Sequence, residues 1–295
     1  MLYIEPQAGS APVVHVIDAA RREVHLDVYY LSSRKVLSAL RAAHGRGVAV
    51  SVILDEHPYG MKPWQVHKEY EKARAAGATV RWAPRRFEAV NGRFVYTHAK
   101  YVCNGHECEI GSANFDWSAF HRNREYLYVT RNPQVVRAAN AVFTADWENR
   151  RAGPGPRQML VLSPGSQETL VRLIAQPGPV DIESEEMGND SVILHAIAAK
   201  GRLARVILPA SISRQDKRNV RALMRNGVQI RLLPRKPLYM HAKMICGETA
   251  GFIGSENFSK ASLNDNREMG LTLGGRDLGL LREQFTRDWA RAHPA

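Results

Sequence analysis

The sequence predicts an α/β fold made of two duplicated halves, each a mixed sheet flanked by helices, related by a pseudo-two-fold axis with one site at their interface. Three observations predict it. Two long segments match residue for residue at a constant spacing, strands and helices alternate in the same order around each, and a turn-rich stretch, RAGPGPR at 151–157, lies between them. The halves are read as 1–150 and 158–295 with 151–157 as linker.

The first matched segment runs from Tyr96 to Glu125 and the second from Tyr239 to Glu268, at an offset of 143 with no gap. Counted from His98 and His241, each has Lys at +2, Cys at +5, Gly-Ser at +13 and +14, Asn-Phe at +16 and +17, and Asn-Arg-Glu at +25 to +27. Outward the offset drifts, as it does when loops diverge in length: Gly77 to Trp82 matches Gly227 to Leu232, and Phe143 to Trp147 matches Phe285 to Trp289.

In the first half, Val24 to Leu31 is rich in β-formers, Lys35 to His44 has helical period, and Val48 to Leu54 is an apolar run of the buried-strand type. Pro63 to Ala76 again has helical period and Thr79 to Trp82 reads as a strand. The second half repeats that order at Val180 to Glu183, Val192 to Lys200, Ala204 to Leu208, Asp216 to Arg225 and Gln229 to Leu233. A strand carrying the histidine, a strand into Gly-Ser and a closing helix near Trp147 or Trp289 complete each half.

With 41 basic against 29 acidic residues the chain carries +12, which favours partners bearing phosphate. Both halves share the excess, 20 to 15 over residues 1–150 and 21 to 14 over residues 151–295. Three cysteines, Cys103, Cys108 and Cys246, are odd in number and too few for a disulfide framework. Cys103 and Cys108 could meet across a hairpin, but the expectation is buried thiols in a reducing, cytoplasmic setting with peripheral membrane contact. The first residues lack a charged segment followed by an apolar one, and no apolar run approaches a membrane span of about 20 residues.

Packing repeats apolar positions; it has no need to repeat five polar ones. The repeated types fit one chemistry. A neutral imidazole attacks phosphorus while a protonated one gives its proton to the leaving oxygen. Lys100, Lys243, Asn114 and Asn257 supply donors for the non-bridging oxygens. Glu125 and Glu268 can each accept from the second nitrogen of a histidine. One copy holds half of this set, so the two copies must meet.

Those residues resemble the doubled HxKx4D and GSxN motifs of the phospholipase D superfamily, and the resemblance extends over nearly the whole chain. It implies two α/β sandwiches with a site between them. It also implies a covalent phosphohistidine formed by His98 or His241, with no metal or cofactor. By the same resemblance Lys100, Lys243, Asn114 and Asn257 bind phosphate, Ser112 and Ser255 support that pocket, and Glu125 and Glu268 partner the histidines. His98 is taken as the nucleophile by analogy with members that use the first copy. One departure occurs in both copies: Gly105 and Glu248 stand where the motif has Asp, in what reads as a turn.

Other candidates are weaker. Cys103, His106 and Cys108 could suggest zinc, but they lie in one presumed hairpin and lack a fourth ligand. His121 and Arg122 read as surface groups. Pro84-Arg85-Arg86 and Pro234-Arg235-Lys236 read either as solvated loops or as paired basic edges beside the site. Tyr29, Tyr30, Glu185 and Glu186, at the ends of equivalent strands, could line the pocket. The expected activity is phosphodiester hydrolysis or transfer on a phospholipid headgroup without an obligate protein partner. Nucleic-acid cleavage is the second reading and an inactive polyanion-binding module the third. Neither clustered aromatic residues nor an apolar surface loop is evident in the sequence to decide between the first two.

Overall fold

The computed structural model describes residues 1–89 and 92–295. Apolar alternation builds two large sheets with the same internal order. In the first, the strands lie side by side as Leu2–Ile4, Tyr126–Thr130, Cys108–Gly111, Lys100–Cys103, Glu23–Val28, Ala49–Leu54 and Thr79–Trp82. In the second the equivalents are Val161–Ser163, Glu268–Leu273, Gly251–Gly254, Lys243–Cys246, Val180–Ser184, Ala204–Pro209 and Gln229–Leu233, with His293–Pro294 added at the edge. The duplication read from the motif residues is therefore a duplication of topology.

Within each sheet the parallel run of strands ends next to the site, and the pairs beyond it are antiparallel. Glu23–Val28, Ala49–Leu54 and Thr79–Trp82 run parallel, whereas Lys100–Cys103 is antiparallel to Glu23–Val28. The second sheet does the same at Val180–Ser184 and Lys243–Cys246. Val28 faces Lys100 and Ser184 faces Lys243 across these pairs, so the carboxyl end of each inner strand meets the start of the lysine strand. Ligands in open α/β sheets collect at such reversals.

The helices form where the sequence predicts them, with ends shifted by up to two residues, and several starts are capped by short polar side chains. Arg34–Gly45 buries Val36, Ala39, Leu40 and Ala43, one face of a 3.6-residue period, and begins at Ser33, which accepts from the Val36 amide. Asp190 caps Ser191–Lys200 through the Val192 and Ile193 amides. The sequence reading missed the short first strands, Leu2–Ile4 and Val161–Ser163, and the helices after them, Ala11–Asp18 and Gln167–Ile174. Three to eight residues give too little periodicity to recognise.

Each strand divides its side chains between two cores. Val102 packs outward under the helices of its own half, while Tyr101 and Cys103 point to the central core. That central core mixes both halves: Ile110, Tyr126 and Phe143 pack with Met244, Met269, Leu281 and Phe285. One apolar layer thus welds the two sheets together.

Two buried ion pairs cross the same layer. Arg124 Nε and Nη2 lie 2.6 and 3.1 Å from the Asp288 carboxylate, and Arg267 meets Asp146 at 2.7 and 3.1 Å. The arginines belong to the two Asn-Arg-Glu segments and the aspartates to the closing helices of the opposite halves. Arg124 and Asp288 are fully buried.

The structure corrects the reading of the thiols. Cys103 and Cys108 stand directly opposite in the antiparallel register, with Cα atoms 4.1 Å apart, and form a disulfide. Their sulfurs are bonded to each other, so they are not the zinc ligands weighed above, and the thiol count no longer points to a reducing compartment. Only Cys246 is a free, buried thiol. Among the described residues, no helix is long and apolar enough to cross a membrane.

Truncating one member of a buried charge pair strands the other in a low-dielectric interior. Asp288→Ala should lower the unfolding free energy by about 3–5 kcal/mol in urea denaturation. A loss below about 1 kcal/mol would show that Arg124 finds another partner or water.

Candidate active site at the junction of the halves

Each histidine sits just before its lysine strand rather than within it, in a short parallel pairing with the other half. The His98 amide donates to Arg267 O at 2.8 Å and the Arg267 amide to Tyr96 O at 2.9 Å. On the other side Tyr239 and Met240 pair with Asn123 and Arg124. The same arginines are held by the opposite helices, so the pairing cannot slide.

This places each glutamate under the histidine of the other copy. His98 Nδ1 is 2.8 Å from Glu268 Oε2 and His241 Nδ1 is 2.7 Å from Glu125 Oε1. Further donors complete the carboxylates: Ser262 and Asn266 reach Glu268 at 2.6 and 3.1 Å, and Ser112 and Asn123 reach Glu125 at 2.7 and 3.1 Å. Burial works to raise the Glu268 carboxyl, but His98, Lys100 and the hydrogen bonds hold it below its ordinary value. An ionised carboxylate only accepts, so His98 carries its proton on Nδ1 and leaves the Nε2 lone pair open. Burial, aided by Lys100 and Lys243, lowers the His98 pKa despite Glu268, which favours the neutral ring.

His98, His241, Asn114 and Asn257 share the wall of a cavity of about 650 Å³. Both asparagine amide oxygens are buried without a partner among the described residues, so these groups are available to a ligand. Lys100 and Lys243 are buried just behind the histidines, each donating to the carbonyl of its own histidine, at 2.6 and 2.7 Å. Burial pushes Lys100 down to about 7, with Glu268 opposing and Lys243 adding to the fall.

Ser112 and Ser255 are not on that wall and stand behind it, as supports of the pocket. Both are fully buried and join neighbouring strands: each accepts at 3.0 Å from the equivalent amide, Tyr126 or Met269. The glycines before them explain the geometry. A Cβ on Gly111 would lie 2.3 Å from Tyr126 O, and one on Gly254 would lie 2.6 Å from the Gly270 Cα. Gly-Ser is a close strand crossing whose first hydroxyl also braces Glu125.

The two halves differ where Tyr29 and Glu185 correspond. The ring of Tyr29 packs edge-on to His98 at 4.8 Å and lies 5.4 Å from the Lys100 ammonium. Its counterpart Glu185 lies 2.8 Å from Lys243 Nζ and 3.3 Å from His241 Nε2. Burial acts to raise Glu185, yet His241 and Lys243 outweigh it and hold the carboxyl at about 2. His241 therefore has an acceptor at each ring nitrogen, so a proton on each is matched.

Tyr30 and Glu186 also line the cavity, as their strand positions suggested. Gly105 and Glu248, at the motif's missing aspartate, fall in the hairpin turns after the lysine strands. The paired basic loops do not flank the site symmetrically. Arg86 is fixed to Asp146 at 2.6 Å, while Arg235 and Lys236 are exposed. His121 stacks on Trp117 at the surface. The sequence reading missed Arg124, Arg267, Asp146 and Asp288; all four belong to matched segments already quoted, so their repetition was the available signal.

A family profile described as cardiolipin synthase, PLD-like domain, matches residues 13–147 and 182–289. The chain belongs to the phospholipase D superfamily. Mitochondrial cardiolipin hydrolase of Xenopus laevis is 32% identical over 130 residues, 44% of this chain and 56% of that protein. The Danio rerio protein of the same name is 27% identical over 131 residues, 44% of this chain and 53% of its own. The chain thus spans about half the length of the curated relatives it matches. A solved phosphatidylserine synthase of Haemophilus influenzae superposes over 100% of this chain and 87% of its own, with a TM-score of 0.73 at 10% identity. At that identity the likeness shows a shared phospholipase D fold with duplicated halves and leaves the chemistry to the site.

The lysine shift can be read directly. With labelled lysine, NMR should show the Lys100 ammonium titrating near 7 in the ligand-free protein; a midpoint above about 9.5 would contradict its burial among cations.

Proposed function

We propose that the chain cleaves or exchanges a phosphodiester through a covalent phosphohistidine, with residues 1–150 and 158–295 each supplying half of the machinery across the 151–157 linker. The observation that supports it is the exchange of carboxylates, which leaves two differently partnered imidazoles on one cavity wall. His98 Nε2 attacks phosphorus and forms the P–N bond as the P–O bond to the leaving alcohol breaks. His241 Nε2 gives that oxygen its proton. Water, or a second alcohol, then loses its proton to His241 and displaces His98, giving hydrolysis or transfer. Lys100, Lys243, Asn114 and Asn257 receive the non-bridging oxygens, and Glu125 and Glu268 keep the rings in place. None of these steps calls on a metal.

The cavity wall favours a phospholipid headgroup. Apart from the histidines, its charged side chains among the described residues are Glu185, Glu186 and Asp216, while Lys100 and Lys243 are buried behind the histidines and reach only the phosphate at the centre of the site. A polyanionic strand threading the cavity would meet carboxylates, whereas a single phosphodiester carrying a hydroxyl or ammonium headgroup would be matched. Tyr59 and Phe94, on the same wall, are 73% and 66% exposed and form the apolar rim that the sequence did not reveal. One observation favours a nuclease instead: Tyr30 and Tyr96 gather beside that rim and offer faces on which bases could stack.

His98→Ala and His241→Ala should each abolish turnover of bis(p-nitrophenyl) phosphate, and acid quench with labelled substrate should trap label on His98. Activity lost to chelators but kept by the histidine variants would refute the mechanism. Assayed side by side without added metal, phosphatidylcholine, and phosphatidylglycerol with a primary alcohol, should turn over. Cleavage of single-stranded DNA or RNA without lipid turnover would overturn the lipid reading.

For the acid limb, the sign follows from the lowered His98 value. The neutral nucleophile is lost as pH falls through its pKa, so kcat/KM should decline only below about 6.5, the ordinary histidine value. A limb centred above 7 would contradict the neutral ring.

A further inference from the structure

A second cavity, of about 410 Å³, opens beside the catalytic one and is lined by Arg86, Arg93, Arg151, Arg157, Arg267 and Asp265 among others. The two cavities share their walls: Phe94, Tyr96 and Asn266 face the catalytic side, and their chain neighbours Arg93, Asp265 and Arg267 face this one.

Charge here is unbalanced. Arg86 and Arg267 share one buried carboxylate, Asp146. Arg157 points its guanidinium at the carbonyls of Leu162 and Pro164, at 2.7 and 2.5 Å, and has no carboxylate partner among the described residues. Arg93 and Arg151 are exposed and make no ion pair or side-chain hydrogen bond among the described residues. Burial lowers the pKa of both Arg86 and Arg157, and repulsion from Arg267 adds to each fall. Like charges gathered in a concave, partly desolvated space oppose folding unless an anion joins them.

Duplication does not require this arrangement. On the pseudo-equivalent side, the Arg124–Asp288 pair has Glu5 and Gln7 beside it, and Arg291, 3.9 Å from Asp288, is the one further arginine paired there among the described residues. The ion pair that closes the fold recurs; the crowd of arginines does not.

We propose that this cavity is a phosphate-binding site, distinct from the catalytic one, that takes a phosphate group between Arg93, Arg151 and Arg157 with Arg86 and Arg267 as its fixed back wall. Planar guanidinium forks suit the tetrahedral oxygens. The phosphate can be free in solution or the headgroup of an anionic lipid lying next to the apolar rim.

Calorimetric titration with inorganic phosphate at low ionic strength separates this site from the catalytic one. The wild-type protein should show two binding events, and Arg93→Gln/Arg151→Gln should weaken one of them by about tenfold or more, the loss expected for a charge-assisted contact. Turnover of bis(p-nitrophenyl) phosphate should be unchanged in that variant, and its melting temperature without phosphate should not fall. Superimposable isotherms for wild type and variant would overturn the site, whatever the outcome for the histidines. Sedimentation with phosphatidic acid vesicles identifies the source: binding that the variant loses places the phosphate on a lipid. Vesicle binding that is absent or unaltered, together with a lost calorimetric event, assigns the site to soluble phosphate.

Discussion

Everything in the site depends on the exchange of partners between the two halves. Each Asn-Arg-Glu segment lies along the histidine segment of the opposite copy, its arginine locked to the opposite closing helix and its glutamate under the opposite imidazole. The arginines are buried, and a buried guanidinium has few acceptable geometries. Locking them sets the register of the pairing, the pairing sets where the glutamates stand, and the glutamates set the tautomer and tilt of the rings. A stability device and an orienting device are thus one structure.

The repeat made much of this readable. His98, His241 and the polar residues spaced equally after them could be picked out because two copies rarely preserve polar identities without a shared cause. The strands and helices from Glu23 to Trp82 and from Val180 to Leu233 were legible because apolar period and turn residues agree there. The short opening strands were not, since three residues carry no period.

What stayed hidden was partnership. A sequence shows that two histidines and two glutamates exist, and says nothing of which glutamate serves which histidine. Ser112 and Ser255 looked like ligands because they stand two residues before Asn114 and Asn257, but the chain bends where the strands end at Gly111 and Gly254, so regular alternation does not carry over and both hydroxyls meet neighbouring strand amides instead of the cavity. Spacing alone left Cys103 and Cys108 undecided, and register joined them. Net charge misled locally as well. The chain is basic, yet the catalytic wall is acidic, and two of the arginines, Arg124 and Arg267, serve as internal struts.

The crossed ion pairs also bear on how such a chain could have begun. Cut after the first half, the chain would bare Arg124 without Asp288, Glu125 without His241 and His98 without Glu268. The groups that would answer them are those a second, identical half carries in the same places. A lone ancestral copy could meet its own needs only by pairing with itself about a two-fold axis. Carried on one chain, the two halves need not be alike, and Tyr29 and Glu185 differ at a matched position that two copies of a single half would have to share.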